Sequence, residues 1–165
     1  MMNEIFHRTS IRKFKEQKIE KEKIELLLKA AMAAPSAGNQ QPWFFYVVTS
    51  QAKIEALSHC SPYASCLKNA PLAIVTCYKK NIKFPEYAQI DLGACNENIL
   101  LEADYLGLGG VWLGIAPLQE RMDAVKKVLQ MEEDEFAFSV LAIGYPDETK
   151  IQQNRYDTKR VKYLD

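Results

Sequence analysis

Residues 34–43 read APSAGNQQPW, a connector between a run patterned as a helix and a run patterned as a strand. One Gly or Pro is enough to turn a chain. This stretch also carries Ser36 and the side-chain amides of Asn39, Gln40 and Gln41, each amide both a donor and an acceptor. That is more hydrogen-bonding capacity than a turn requires. Either the amides satisfy their own backbone, or they serve a ligand such as a heteroaromatic ring system with imide and ring nitrogens. For such a ligand, Pro35 ends the preceding helix and Gly38 lets the backbone approach closely.

Upstream, the run beginning EKEKIELLLKAAM at Glu20 places Ile24, Leu27, Leu28 and Ala31 at helical spacing, with acids early and Pro35 as the stop. Downstream, WFFYVVTS (43–50) is aromatic and β-branched over a strand's length, and PLAIVTCY (71–78) repeats that character. Both predict buried strands. Gln51 to Ser58 predicts a helix, SPYASCLKNA (61–70) a turn-rich segment ending in a short helix, and Asn3 the start of a short helix bearing Ile5 and Phe6. From Tyr87 to Leu106 the pattern predicts a long helix with two apolar faces. Ile90, Ala94, Leu101 and Tyr105 follow one, and Leu92, Cys95, Ile99, Ala103 and Leu106 the other, as in a helix held between layers or between subunits.

GLGGVWLGIAP (107–117) reads as a Gly-rich turn into a short strand, and QERMDAVKKVLQ (119–130) as a helix with Met122, Val125 and Leu129 on one side. FAFSVLAIGYP (136–146) is a strongly apolar strand ended by Gly144 and Pro146. Four strands interleaved with four or five helices predict a layered structure of helices and sheet. The stretch 147–165, DETKIQQNRYDTKRVKYLD, is too polar for a core and is either disordered or laid along another surface.

A length of 165 residues predicts one domain, 1–165, with a proper core. Apolar residues at 48% and charged residues at 25% fit a soluble globular chain rather than a disordered or membrane one. Lys plus Arg and Asp plus Glu are both 21, so no overall field recruits nucleic acid or an acidic membrane surface. The N-terminal MMNEIFHRTS places charges where a signal peptide needs an apolar run, and no stretch approaches the roughly 18 residues of a spanning helix. A cytoplasmic protein is therefore expected. Cys60, Cys66, Cys77 and Cys95 form no C-x-x-C pair and have no His at ligand spacing, so no metal site is expected. They read as small buried hydrophobes, with Cys60 and Cys66 still able to approach each other.

Three stretches carry candidate chemistry. In RTSIRKF (8–14), Arg8, Ser10 and Arg12 alternate and share one side of an extended segment, where two guanidinium groups and a hydroxyl suit a phosphate. The alternative is a pair of solvated surface arginines. APSAGNQQPW is the second. In the third, GLGGVWLG, the glycines follow a helix and precede a strand, the reverse of the dinucleotide-binding fingerprint. What remains there is a turn that exposes backbone to a flat ligand, or simple helix termination at Gly107. No G-x-S-x-G, P-loop or H-E-x-x-H occurs, and His7 and His59 have no nucleophile context, so hydrolysis and phosphoryl transfer are unsupported.

Taken in this order, the three stretches resemble the nitroreductase family of flavin enzymes. RTSIRKF stands for R-x-S-x-R-x-F, APSAGNQQPW for P-S-x-x-N-x-Q-P-W, GLGGVWLG precedes the fourth strand, and GYP is followed by an arginine in the tail. The resemblance implies an α+β fold with a mixed central sheet flanked by helices, an intertwined homodimer, and FMN held between the subunits. It implies that Arg8, Ser10 and Arg12 hold the phosphate and ribityl end, joined by Arg155, with Arg160 as the alternative. Pro35, Ser36, Ala37 and Asn39 would reach the isoalloxazine ring from the partner chain. Gln41 matches the motif without an assigned contact, and backbone at Leu113 and Gly114 would face the ring's other side.

The tail 147–165 would pack on the partner subunit, KRVKY adding to its sheet. The chain is short for the family, which implies that the helical excursion covering the site in larger members is missing. The implied chemistry is a ping-pong cycle in which NADH or NADPH reduces the flavin, which then reduces nitroaromatics, quinones or similar small electron-poor acceptors, with no catalytic side chain. Reductive dehalogenation and flavin breakdown are alternatives within the family. A non-enzymatic flavin-binding or redox-sensing protein is the alternative of another class.

Overall fold

In the computed structural model, which describes residues 3–164, the two aromatic and β-branched runs lie side by side. They form β1 (Trp43–Val48) and β2 (Leu72–Lys79), antiparallel, with Trp43 opposite Tyr78. The Gly-rich stretch supplies β3 (Gly109–Gly114) and the last apolar run β4 (Glu135–Gly144), and the sheet order is β1-β2-β4-β3. All three strand pairings are antiparallel; the parallel element is a bridge between Ser10 and Gly110.

Helices are α1 (Asn3–His7), α2 (Lys21–Met32), α3 (Gln51–Leu57), α4 (Ala88–Tyr105) and α5 (Gln119–Leu129). Strand side chains alternate between faces. Ala73, Val75 and Cys77 of β2 pack with Ile54 and Leu57 of α3 and Val125 of α5, while Leu72 and Ile74 pack with Leu27 of α2 and Leu92 and Ile99 of α4. Both faces of the central strands are thus covered, which explains why their sequences are continuously apolar instead of alternating. Thr49 and Ser50 fall outside β1, because Ser50 already precedes the first turn of α3.

One polar knot lies inside this core. Asn96 of α4 donates from Nδ2 to Ser139 Oγ at 2.7 Å, and Ser139 Oγ lies 2.8 Å from Thr76 Oγ1, beside the register shift between Thr76 and Cys77. Of the other predicted stripe of α4, Ala94 and Leu101 are half-buried, and the two ends face outward. Ile90 is 66% and Tyr105 70% exposed. Among the described residues, no helix is long and apolar enough to cross a membrane. The four cysteines are free thiols, so Cys60 and Cys66 are not joined.

Segment 8–14 is stitched to the edge strand β3. Ile11 N donates to Gly110 O at 3.0 Å, and Ile11 and Phe14 are buried. This is possible because Gly109 has no side chain: a Cβ there would meet Ile11 Cγ1 at 2.7 Å and Cβ at 2.8 Å. The start of the tail is held to the same segment. Asp147 N donates to Lys13 O at 2.9 Å and Lys150 Nζ to Ser10 O at 3.0 Å, while Gln152 Nε2 donates to Ile5 O at 2.9 Å and Arg8 O at 3.2 Å. Residues 153–156 are exposed, and Thr158–Arg160 form a short turn capped by the Asp157 side chain, with no strand at KRVKY. Asp165 lies outside the described residues. Gly109→Ala must displace Ile11, and we expect it to lower unfolding stability by about 1–3 kcal/mol, read by urea denaturation.

Candidate functional site

The burial of Ile11 and Phe14 leaves Arg12 and Lys13 at the surface between them. Their backbone N–H groups both donate to Glu148 Oε1, at 3.1 Å from Lys13, and Lys150 Nζ meets the same oxygen at 3.0 Å. These donors, the Arg12 N–H foremost, hold the Glu148 carboxyl below its ordinary range. The tail thereby neutralises a carboxylate without using the Arg12 guanidinium, whose Nη1 donates to Ser10 O at 3.3 Å.

Arg12, Leu113 and Gly114 share one cavity of about 480 Å³, whose walls also include Tyr63, Trp112 and Arg121. Nothing lies within 4 Å of where a Cβ on Gly114 would stand, so the end of β3 offers open backbone. Arg8 is elsewhere engaged: its Nε lies 3.2 Å from Glu97 Oε1 of α4. Arg12 thus lines this cavity and Arg8 does not.

Arg121 and Tyr63 line the same cavity, and neither stands in one of the three motif stretches. In sequence Arg121 reads only as part of the helix marked by Met122, Val125 and Leu129, and Tyr63 as part of the turn-rich segment 61–70. Arg121 Nη1 donates to Gly114 O at 3.1 Å, and its guanidinium lies 5.6 Å from the Tyr63 ring centroid. The available signal was its position. A cation in the first turn of a helix opposes the macrodipole and calls for another reason to be there.

The loop APSAGNQQPW has an internal frame. Gly38, Asn39 and Gln41 all have positive φ, at 53°, 56° and 48°. Such backbone is uncommon for Gln and persists only where surroundings over-determine it. Those surroundings are Asp91 and Gln40. Asp91, 5% exposed at the start of α4, accepts from Ala37 N at 2.9 Å and from Gln40 Nε2 at 2.8 Å. Gln40 also donates to Phe84 O at 3.0 Å and accepts from Phe84 N at 2.9 Å. Gly38 is packed against Phe84, where a Cβ would lie 2.6 Å from Cε2.

Gln41 is a strut. Its N–H donates to Ser36 Oγ and its Nε2 to Asn39 Oδ1, both at 3.0 Å. Part of the loop's polar capacity is thus spent on its own backbone. Among the described residues, neither the Ser36 hydroxyl nor the Asn39 amide nitrogen donates to a protein acceptor. Pro35, Gly38 and Asn39 are exposed, Ser36 and Ala37 half-buried, and none of the loop lines the Arg12 cavity. Arg155 is exposed, and Arg160 Nε lies 3.4 Å from Asp157 Oδ2; neither reaches that cavity. Burial pushes the Cys77 and Cys95 thiols up to about 12 and raises Cys60 and Cys66 as well, so none is poised as a thiolate at neutral pH.

This chain belongs to the nitroreductase family, whose family model matches residues 5–62 and 58–145. An Archaeoglobus fulgidus protein named "Putative NADH dehydrogenase/NAD(P)H nitroreductase" is 44% identical over 148 residues, covering 88% of this chain and 85% of that protein. A Clostridium acetobutylicum crystal structure named "Putative NADH Oxidase" shares 46% identity and a TM-score of 0.95, covering 98% of this chain and 99% of that one. The structure of an FMN-dependent nitroreductase from Clostridium difficile R20291 shares 32% identity and a TM-score of 0.93, covering 100% and 99%.

Asp91→Ala leaves the Ala37 N–H and the Gln40 amide without their acceptor. We expect a loss of about 1.5–3 kcal/mol in unfolding free energy, the range for hydrogen bonds to a charged group, together with faster amide hydrogen exchange at Ala37. Undiminished protection of Ala37 in the variant would contradict the clamp.

Proposed function

We propose that this protein is an FMN-dependent oxidoreductase that uses NADH or NADPH to reduce nitroaromatics, quinones or similar electron-poor compounds, and that it works as a homodimer in the cytoplasm. The observation that carries the reading is the cavity at the end of β3. There the Arg12 guanidinium, which has no carboxylate partner among the described residues, shares a cavity with Leu113 and Gly114, and the space beside the Gly114 Cα is open. A fixed cation suits a phosphate, and bare backbone suits the face of a flat ring. These donors fit FMN.

In this reading Arg8, Ser10 and Arg12 hold the phosphate and ribityl end with Arg155 from the tail. The Arg8 and Glu97 pair is half-exposed on the glutamate side, and such pairs are worth about 1 kcal/mol or less, so a phosphate can displace it. Backbone at Leu113 and Gly114 faces one side of the ring. Pro35, Ser36, Ala37, Asn39 and Gln41 come from the second copy, presented by the frame of Gln40 and Asp91. Two observations favour that assembly: the loop does not line its own chain's Arg12 cavity, and the outer face of α4 leaves Ile90 and Tyr105 exposed with Phe6 of α1. The domain spans 1–165, with the tail 147–165 lying on the partner beyond the part held to its own chain.

FMN, when bound, supplies hydride acceptance from the nicotinamide and electron delivery to the acceptor in turn, a ping-pong cycle. The chain's own residues bind and orient the reactants and set positive charge about the site. No side chain acts as acid or base.

Purified protein is expected to be yellow, to release FMN on denaturation, to bleach with NADH or NADPH and to recover colour with a quinone. Binding without nicotinamide-driven bleaching would instead favour a flavin-binding sensor, and a colourless protein that takes up no added FMN would sink the reading. Arg12→Ala is expected to weaken FMN binding by about 1.5–3 kcal/mol in a fluorescence titration.

A further inference from the structure

Arg121 is the cation of this site that the flavin reading leaves without a task. Its guanidinium is held in place by the Gly114 carbonyl at 3.1 Å on one edge and by the Tyr63 ring, 5.6 Å away, on one face. That contact is a cation–π interaction, and it limits the conformations open to a side chain that would otherwise move freely in solvent. Of the five N–H donors in a guanidinium, one is used by Gly114. Among the described residues Arg121 has no carboxylate within ion-pair distance; Glu120 precedes it without pairing. Arg121 also lines two cavities at once. One is the cavity shared with Arg12, Trp112 and Gly114, which has no carboxylate in its lining, and the other, of about 510 Å³, is bounded by His59, Cys60, Leu118, Gln119 and the carboxylate-bearing Glu120, so the anion is taken on the Arg12 side.

We propose that Arg121 makes this site select electron-poor aromatic acceptors that carry an anionic substituent, a carboxylate or a sulfonate. The inference rests on the flavin reading, which gives the phosphate to Arg8, Arg12 and Arg155 and the ring face to Leu113 and Gly114. Arg121 lines the same cavity as Leu113 and Gly114, so an acceptor stacked there has the Arg121 guanidinium within the same walls. There a planar guanidinium with free donors takes a carboxylate through two parallel N–H···O bonds, a geometry that lysine cannot reproduce. Two further oxyanions share this chemistry: the FMN phosphate and the 2′-phosphate that distinguishes NADPH from NADH. The test separates all three.

The full chain, supplied with FMN, is titrated with 4-nitrobenzoate and with its uncharged counterpart 4-nitrobenzamide. Quenching of tryptophan fluorescence, with Trp112 in the cavity wall, reads binding without turnover, and NAD(P)H oxidation reads KM. We expect 4-nitrobenzoate to be preferred, Arg121→Gln to lower the preference about tenfold in both readouts, and Arg121→Lys to keep part of it. An undiminished preference in Arg121→Gln overturns the proposal. So does loss of FMN content, which would make Arg121 a cofactor ligand, or a rise in KM confined to NADPH, which would make it a reader of the 2′-phosphate. A colourless protein overturns the flavin reading separately. The quenching titration still decides Arg121 in that case: a benzoate preference abolished by Arg121→Gln upholds Arg121 as the anion-binding residue of this cavity though not as part of a flavin site, and equal affinities overturn it.

Discussion

The antiparallel pairing of β2 with β4, buried on both faces, is the constraint on which the remaining structure depends. Every backbone donor and acceptor on those strands must be satisfied within the sheet, because helices on both sides exclude water. Two separate hydrophobic clusters result, one under α3 and α5 and one under α2 and α4. The Asn96, Ser139 and Thr76 knot ties α4 to this pair in one register, since a slip would strand buried polar groups. The edge strand β3 is then available as the mounting for segment 8–14 on one side and for Arg121 at its end.

The candidate site is built from what this frame leaves uncovered. Gly109 permits Ile11 to close on β3, and that contact sets Arg12 beside Leu113 and Gly114. Glu148 and Lys150 from the tail satisfy the backbone of the same segment, so the site's cation is displayed and not neutralised. Away from the lining of the Arg12 cavity, α4 plays a similar part. Its first turn carries Asp91, which holds the left-handed run of the 34–43 loop by two hydrogen bonds. A single helix thus joins the core to the loop, packing by one face and presenting the loop from its start.

Much of this was legible in the sequence because it is local. The helices and strands follow from spacing and side-chain branching, and the excess of amides in the loop was visible as an excess. Gln40 shows where legibility stops. In sequence it is one polar residue among several; in the fold its two ends meet Phe84 and Asp91, more than 40 positions away. Arg8 and Arg12 show the same limit in reverse. Their alternation places them on one side of the segment, and only the fold shows the neighbour of each, Glu97 for Arg8 and the β3 end for Arg12.

By itself the sequence determined the elements, their apolar faces, the membership in the nitroreductase family carried by the three motifs, and the stretches where chemistry is concentrated. These are properties of neighbouring residues, and 3.6- and 2-residue periods record them directly. Only the tertiary structure decided which cation stands in a cavity and which is paired, that Arg121 and Tyr63 line the cavity beside Arg12, and that Asp91 and Gln40 hold the loop. Such contacts join residues from separate elements, and their partners are chosen by sheet order, register and packing, which no local pattern encodes.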